Sequence, residues 1–221
     1  MKYAPVEVCV WGDFACFTRP EMKVERVSYE VMTPSAARGI LEAIFWKPEF
    51  QWQIREIRVL KPIRYFSILR NEVNNRASYS AAQRRLKGES SYYADDNHNR
   101  SQRHTLCLRD VAYIIAADVA MRSDVQEDEA KYRDQFQRRV KKGQCHTMPY
   151  LGCREFTANF GPEVPPDQDA HIQSIDAQLG RMLFDLDYEL DGSGRGQPRF
   201  FPAELLGGIL HIPETLYRKG E

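Results

Sequence analysis

Thr-Pro-Ser-Ala-Ala-Arg-Gly-Ile-Leu-Glu-Ala-Ile-Phe-Trp-Lys-Pro, residues 33–48, holds a complete set of helix signals. Thr33 can accept a hydrogen bond as N-cap, Pro34 has its φ preset for the first helical position, and Pro48 stops the run. The spacing predicts a helix of about three turns. Ala36, Ala37, Ile40, Leu41 and Ile44 form an apolar stripe wide enough to lie on a sheet, with Arg38 and Glu42 four apart on the wet side. At the far end, Phe45, Trp46 and Lys47 bring two aromatic planes and a cation together, the residue types that stack bases and hold phosphates. The same three residues also suit a helix end plugged into a core by its aromatics.

Working outward, Val6, Val8 and Val10 alternate with Glu7, Cys9 and Trp11 as a half-buried strand that ends at Gly12-Asp13. Phe14 to Pro20 reads as a loop, and Val27 to Val31 as a short extended lead into the helix. Trp52 to Leu60 is a second strand whose alternation slips between Ile54 and Ile57, the mark of a bulge; Ile63 to Leu69 is expected to return as its partner. Residues 71–103 lack periodicity and are rich in Asn, Ser, Arg and Tyr. They are too long for a plain connection.

Val111 to Met121 is β-branched and apolar enough for a central strand. Ser123 and Gln126 have capping-box spacing, Asp128 and Glu129 suit a helix start, and a second helix runs to Gly143 with the stripe Tyr132, Phe136 and Val140. Lys131, Gln135, Arg138 and Lys142 line its adjacent face. Leu151 to Phe160 alternates as a strand, residues 162–169 are a proline-rich acidic loop, and Met182, Phe184, Leu186 and Tyr188 alternate with acids in another strand. A turn at 191–196 and an extended segment from Phe200 to Ile212 close the chain.

The 221 residues carry 31 Lys+Arg and 31 Asp+Glu, so no bulk attraction to a polyanion or a membrane follows. The charge is segregated, however. Residues 61–109 hold ten basic against four acidic groups, 131–154 seven against one, and 155–191 one against nine. One face meeting a polyanion fits this pattern. Five cysteines without a CxxC spacing indicate neither a disulfide framework nor a zinc site. With no signal peptide and no long apolar run, the expected setting is the reducing cytoplasm.

Strand, helix, strand, strand, insertion, strand, helix, strand is the order of a split β-α-β unit, a ferredoxin-like (RRM-like) α+β domain with two helices on an antiparallel sheet. Val-Trp-Gly-Asp-Phe-Ala-Cys-Phe-Thr-Arg-Pro-Glu-Met-Lys-Val-Glu-Arg-Val-Ser-Tyr (10–29), Ser-Ala-Ala-Arg-Gly-Ile-Leu-Glu-Ala-Ile-Phe-Trp-Lys-Pro (35–48), Arg-Val-Leu-Lys-Pro-Ile (58–63), Asn-Arg-Ser-Gln-Arg (99–103) and Leu-Gly-Cys-Arg-Glu-Phe (151–156) resemble one CRISPR-associated family. It is the fifth Cas family, subtype d, of type I-C systems, within the RAMP superfamily. The resemblance spans essentially the whole chain. It implies a ferredoxin-like domain over 1–148 with an insertion near 71–103, and a small β-rich domain over 149–221.

It also implies cleavage of CRISPR repeat RNA without a metal or other cofactor. The mature crRNA's 5′ handle is then kept inside an interference complex with backbone and large subunits. In such a reaction the ribose 2′-hydroxyl attacks the adjacent phosphorus, leaving a 2′,3′-cyclic phosphate and a 5′-hydroxyl. The protein must accept one proton, stabilise the phosphorane and supply another proton. The family pattern has Tyr at the position of Phe45, Lys at Lys131 and His at the position of Tyr132. Here Phe45 has no hydroxyl, and Tyr132 titrates near pH 10 unless Lys131 lowers it.

His104 and His146 are the other candidates for proton transfer. RNA-binding candidates are Trp46, Lys47, Arg76, Tyr79, Arg84, Arg85, Arg100, Arg103, Arg138 and Lys142, with Tyr92 and Tyr93 in the same insertion; rings stack on bases and guanidinium groups pair with phosphates. Two other readings remain open: a non-catalytic subunit that caps the handle, and a metal-dependent nuclease built on Asp185, Asp187 and Glu189.

Overall fold

The computed structural model of the chain describes residues 3–22, 24–74, 78–88, 100–165, 169–189, 192 and 194–217. Its first element, β1 (Val6–Ala15), turns Val6, Val8 and Val10 inward. Helix α1 (Pro34–Ile44) follows, its start fixed as the sequence predicts: the Ala36 N–H donates to Thr33 Oγ1 at 3.3 Å. Ala37, Ile40, Leu41 and Ile44 are at most 1% exposed, so each of the three larger side chains contributes about 1.5–3 kcal/mol of burial.

Strand β2 (Phe50–Val59) carries the expected bulge, a register shift between Ile54 and Glu56. The residue left out, Arg55, points its guanidinium at the buried Asp118 and also meets Glu214. The spine is β4 (Arg100–Met121), 22 residues long. Its inner part lies between β1 and β2, and its outer part pairs with β3 (Tyr65–Val73). At the far end of that two-stranded arm sits a short helix, α2 (Tyr79–Leu86), which buries none of its residues. After β4 come α3 (Glu129–Lys141) and β5 (Asn159–Gly161), which pairs with β1.

The last strands are β6 (Ala177–Tyr188), β7 (Gly196–Leu206) and β8 (Ile209–His211). The sheet order is β5-β1-β4-β2-β8-β7-β6, with β3 on β4, and every named strand pair is antiparallel. The architecture is thus α+β: a long, mostly antiparallel sheet with helices against it. The sheet curls until β6 reaches α1, where Arg38 grips Asp185 in a two-pronged pair at 3.0 and 2.8 Å. Among the described residues no helix is long and apolar enough to cross a membrane.

The structure corrects several local expectations. Of segment 63–69, the part from Tyr65 belongs to β3 and pairs with β4, not β2, whose residues 56–58 have β8 beside them instead. The segment 71–103 is in part regular: β3 runs on to Val73, α2 covers 79–86 and β4 begins at Arg100. Of the two starts the sequence offers for α3, the later one holds: Asp128 caps the helix, its carboxylate accepting from the Ala130 N–H, and Ser123 does not. Of residues 151–160 only the end is strand. Residues 150–157 form a strap across the end of β1, with the Cys16 N–H donating to Leu151 O at 3.0 Å and a Tyr150–Thr157 bridge closing it. Gly152 makes the close approach possible: its φ is +82°, and a Cβ there would sit 2.1 Å from the Cys16 oxygen.

Candidate functional site

Three segments meet at the end of β4 opposite its arm: the turn after α1, the exit of β4 and the entry to α3. The turn begins because α1 stops at Ile44. Phe45 is already extended (φ −154°, ψ 121°), and Arg139 from α3 donates to the Ile44 oxygen at 2.8 Å, satisfying a helix-end carbonyl. The backbone then enters β2, and the Arg122 N–H donates to the Glu49 oxygen at 3.0 Å, which ties the turn to the end of β4.

This geometry separates Phe45, Trp46 and Lys47. Phe45 is 1% exposed; its ring lies 5.7 Å from Phe50, under the Arg139 guanidinium at 5.2 Å. Trp46 is 55% exposed, and Lys47 is exposed beside it. The expected cluster of two rings and a cation is therefore one buried packing ring and an open indole with a neighbouring ammonium. Trp46 lines a polar cleft of about 700 Å³ with Gln51, Gln53, Arg122, Ser123 and Asp124.

Phe50 leads from that cleft to α3, its ring 5.3 Å from Tyr132, whose own ring is buried. The Tyr132 hydroxyl emerges to donate to Glu127 Oε2 at 3.0 Å, and Lys131 Nζ pairs with the same oxygen. Lys131 also stands 5.6 Å from the centre of the Tyr132 ring. Burial, then the hydrogen bond to the Glu127 carboxylate, pushes the Tyr132 phenol up; Lys131 opposes this only weakly. The condition under which Tyr132 would serve as a base, a phenol brought down by Lys131, is thus not met: the pull of Lys131 is outweighed by burial and by Glu127. Hydrogen bonds from Lys131 and Tyr132 hold the Glu127 carboxyl below its ordinary value, and Glu127 in turn raises Lys131.

Sequence reasoning missed Glu127. It precedes the helix in a run of acids, and only its spacing of four before Lys131 could have drawn attention to it.

The two histidines lie elsewhere. His104 pairs with Leu69 on the arm, and the 17 residues of strand to Met121 put it roughly 56 Å along β4 from the exit. His146 follows α3 and hydrogen-bonds through its backbone to Ala43, about 15 Å of helix beyond Lys131. Arg138 and Lys142 are exposed on that later part of α3, with Lys141. Tyr79, Arg84 and Arg85 are on α2, and Arg100 and Arg103 on the outer part of β4, where Arg103 pairs with Glu72 at 3.2 Å. Arg76, Tyr92 and Tyr93 lie outside the described residues. The acidic run on β6 does not converge: Asp185 is held by Arg38 and Asp187 meets Arg199 at 3.5 Å. Among the described residues no group of three His, Cys, Asp or Glu side chains could hold a metal.

A family model described as "CRISPR-associated protein (Cas_Cas5)" matches residues 6–213. This chain belongs to the Cas5d family. Two "CRISPR pre-crRNA endoribonuclease Cas5d" proteins are similar to it: one from Thermus thermophilus at 45% identity, covering 98% of this chain and 94% of that one, and one from Mannheimia succiniciproducens at 44%, covering 94% of each. Among solved structures, a "CRISPR-associated Protein" superimposes with a TM-score of 0.63 at 20% identity, over 96% of this chain and 93% of that one. The last likeness concerns the fold. The Cas5d chain thus presents a lysine, a phenol and a carboxylate together, with Phe50 linking them to the polar cleft that Trp46 lines.

Proposed function

We propose that the chain is an endoribonuclease that cleaves CRISPR repeat RNA without a metal and retains the mature crRNA by its 5′ handle. The observation that carries this is the Glu127–Lys131–Tyr132 cluster, open to solvent through Lys131 and Glu127, and joined through the Phe50 ring to the cleft that the exposed Trp46 lines. Lys131 is the cation that meets the phosphorane. Tyr132, with its phenol kept protonated, is a hydrogen-bond donor at the site rather than a base, and Phe45 supports the ring stack under it. Trp46, Lys47, Arg138 and Lys142 line the approach of the RNA, while Tyr79, Arg84, Arg85, Arg100 and Arg103 on the arm hold a more distant part. The product then serves in an interference complex with backbone and large subunits, in the cytoplasm.

The fold supports the same reading. The order β5-β1-β4-β2, with α1 and α3 against those strands, supports reading residues 1–148 with β5 as a ferredoxin-like unit and the β-rich remainder of 149–221 as its C-terminal companion. Phe45, buried and without a hydroxyl, favours a second reading in which the subunit binds the handle without cutting. The test is incubation with repeat RNA in chelator. Lys131→Ala should lower cleavage by roughly 10²-fold or more with RNA binding largely kept, because the charge matters most in the transition state. A 2′-deoxy at the scissile nucleotide should abolish cutting. Binding without cleavage by the parent would select the second reading, and cleavage only with added metal would overturn the first.

A further inference from the structure

Glu127 is a group that neither the family pattern nor the histidine candidates supply. Its carboxylate lies just ahead of α3, about half exposed, and a single oxygen, Oε2, takes both the Tyr132 hydroxyl and the Lys131 ammonium. A phenol that is donating its proton to a carboxylate cannot at the same moment accept one from a substrate. The carboxylate can, because it is acceptor-only when ionised and keeps lone pairs free beyond those two contacts. The nearby charged and titratable groups are Lys131 and Tyr132 on α3 and Glu49 from the turn before β2, whose field also acts on both.

We propose that Glu127 is the general base of the cleavage reaction, paired with Lys131 as its general acid. This deepens the ribonuclease reading above and rests on it. Glu127 removes the 2′-hydroxyl proton as the O2′–P bond forms, and the P–O5′ bond breaks as the Lys131 ammonium passes a proton to O5′. The products are a 2′,3′-cyclic phosphate and a 5′-hydroxyl. Protonated Glu127 and neutral Lys131 are then in contact, and the proton crosses from one to the other, restoring both without an outside reactant. Tyr132 keeps its proton throughout; it is a positioning residue that fixes Oε2.

The test is single-turnover cleavage of repeat RNA by the full chain in chelator, with Glu127→Gln as the central variant. The amide keeps the size and an acceptor oxygen but not the basicity, so the rate should fall by roughly 10²- to 10⁴-fold while RNA affinity and thermal stability stay at parental values. The parental rate should be flat from about pH 6 to about pH 9, since a carboxylate stays ionised across that span, whereas a phenolate base would make it climb. An RNA with sulfur in place of the leaving O5′ needs no proton on departure. It should recover the part of the Lys131→Ala loss that comes from the missing proton, leaving the part owed to phosphorane charge, and leave Glu127→Gln slow. Glu127→Gln cutting at the parental rate, or a parental rate that climbs steadily with pH, overturns the assignment while the ribonuclease reading stands. A parent that does not cut at all overturns both.

Discussion

Replacing Gly152 by alanine tests whether the Leu-Gly-Cys-Arg-Glu-Phe stretch is held by its backbone. The new Cβ would lie 2.1 Å from the Cys16 oxygen and 2.6 Å from its carbon, roughly 1 Å inside the closest approach such atoms make. Both neighbours are backbone, so the strap must lift. A left-handed φ costs a residue with a Cβ about 1–2 kcal/mol. Lifting the strap also sacrifices the Cys16–Leu151 hydrogen bond, about 0.5–1.5 kcal/mol, and part of the burial of Leu151 and Phe156, about 1.5–3 kcal/mol. The expected loss is about 3–6 kcal/mol.

Denaturant unfolding of parent and variant, with m compared so that the midpoint shift reads as stability, measures it. Gly39→Ala is the control. Its Cβ meets nothing within 4 Å on α1, and it should raise stability by up to about 1 kcal/mol. A loss under about 1 kcal/mol for Gly152→Ala would refute the reasoning, because the strap would then be free to move away.

On the arm, reversing Arg84 and Arg85 to glutamate should weaken repeat-RNA binding and flatten its salt dependence, measured by titration at several salt concentrations; unchanged affinity and slope would remove α2 from the RNA path. At high pH, the phenols of the buried Tyr113 and the half-buried Tyr217 are both pushed up by desolvation, so the unfolded chain releases these protons first. Stability is therefore full below about pH 10 and is lost as pH rises beyond it. Denaturation midpoints and phenolate absorbance should fall and rise together there, and complete phenolate formation in a still-folded chain would contradict the burial.

Sequence patterns located α1, β1, the bulge in β2 and the stripe Tyr132, Phe136 and Val140 because each is a periodicity imposed by one buried face. The pairing partner of β3 was not legible, since the choice between β2 and β4 depends on β8, some 140 residues later. The strap at 150–157 alternates like a strand, yet Gly152 takes a left-handed φ to meet a backbone far away in sequence. At the site, Lys131 and Tyr132 were visible by resemblance. Glu127 was not, because its contact with both depends on where the chain turns into α3. The Phe45-Trp46-Lys47 run shows the same limit: residue types suggest stacking, but the early end of α1 decides which ring faces in.

The junction of β2 with β8 bears on synthesis. Residues 56–58 find their second strand neighbour only at 209–211, about 150 residues later. While the ribosome is still making the middle of the protein, β1, β2 and β4 can assemble, but that margin of β2 stays uncovered, a row of open amides and carbonyls. The nascent chain is therefore open to mispairing along this margin from the time β2 is made until the hairpin of β7 and β8 emerges to cap it.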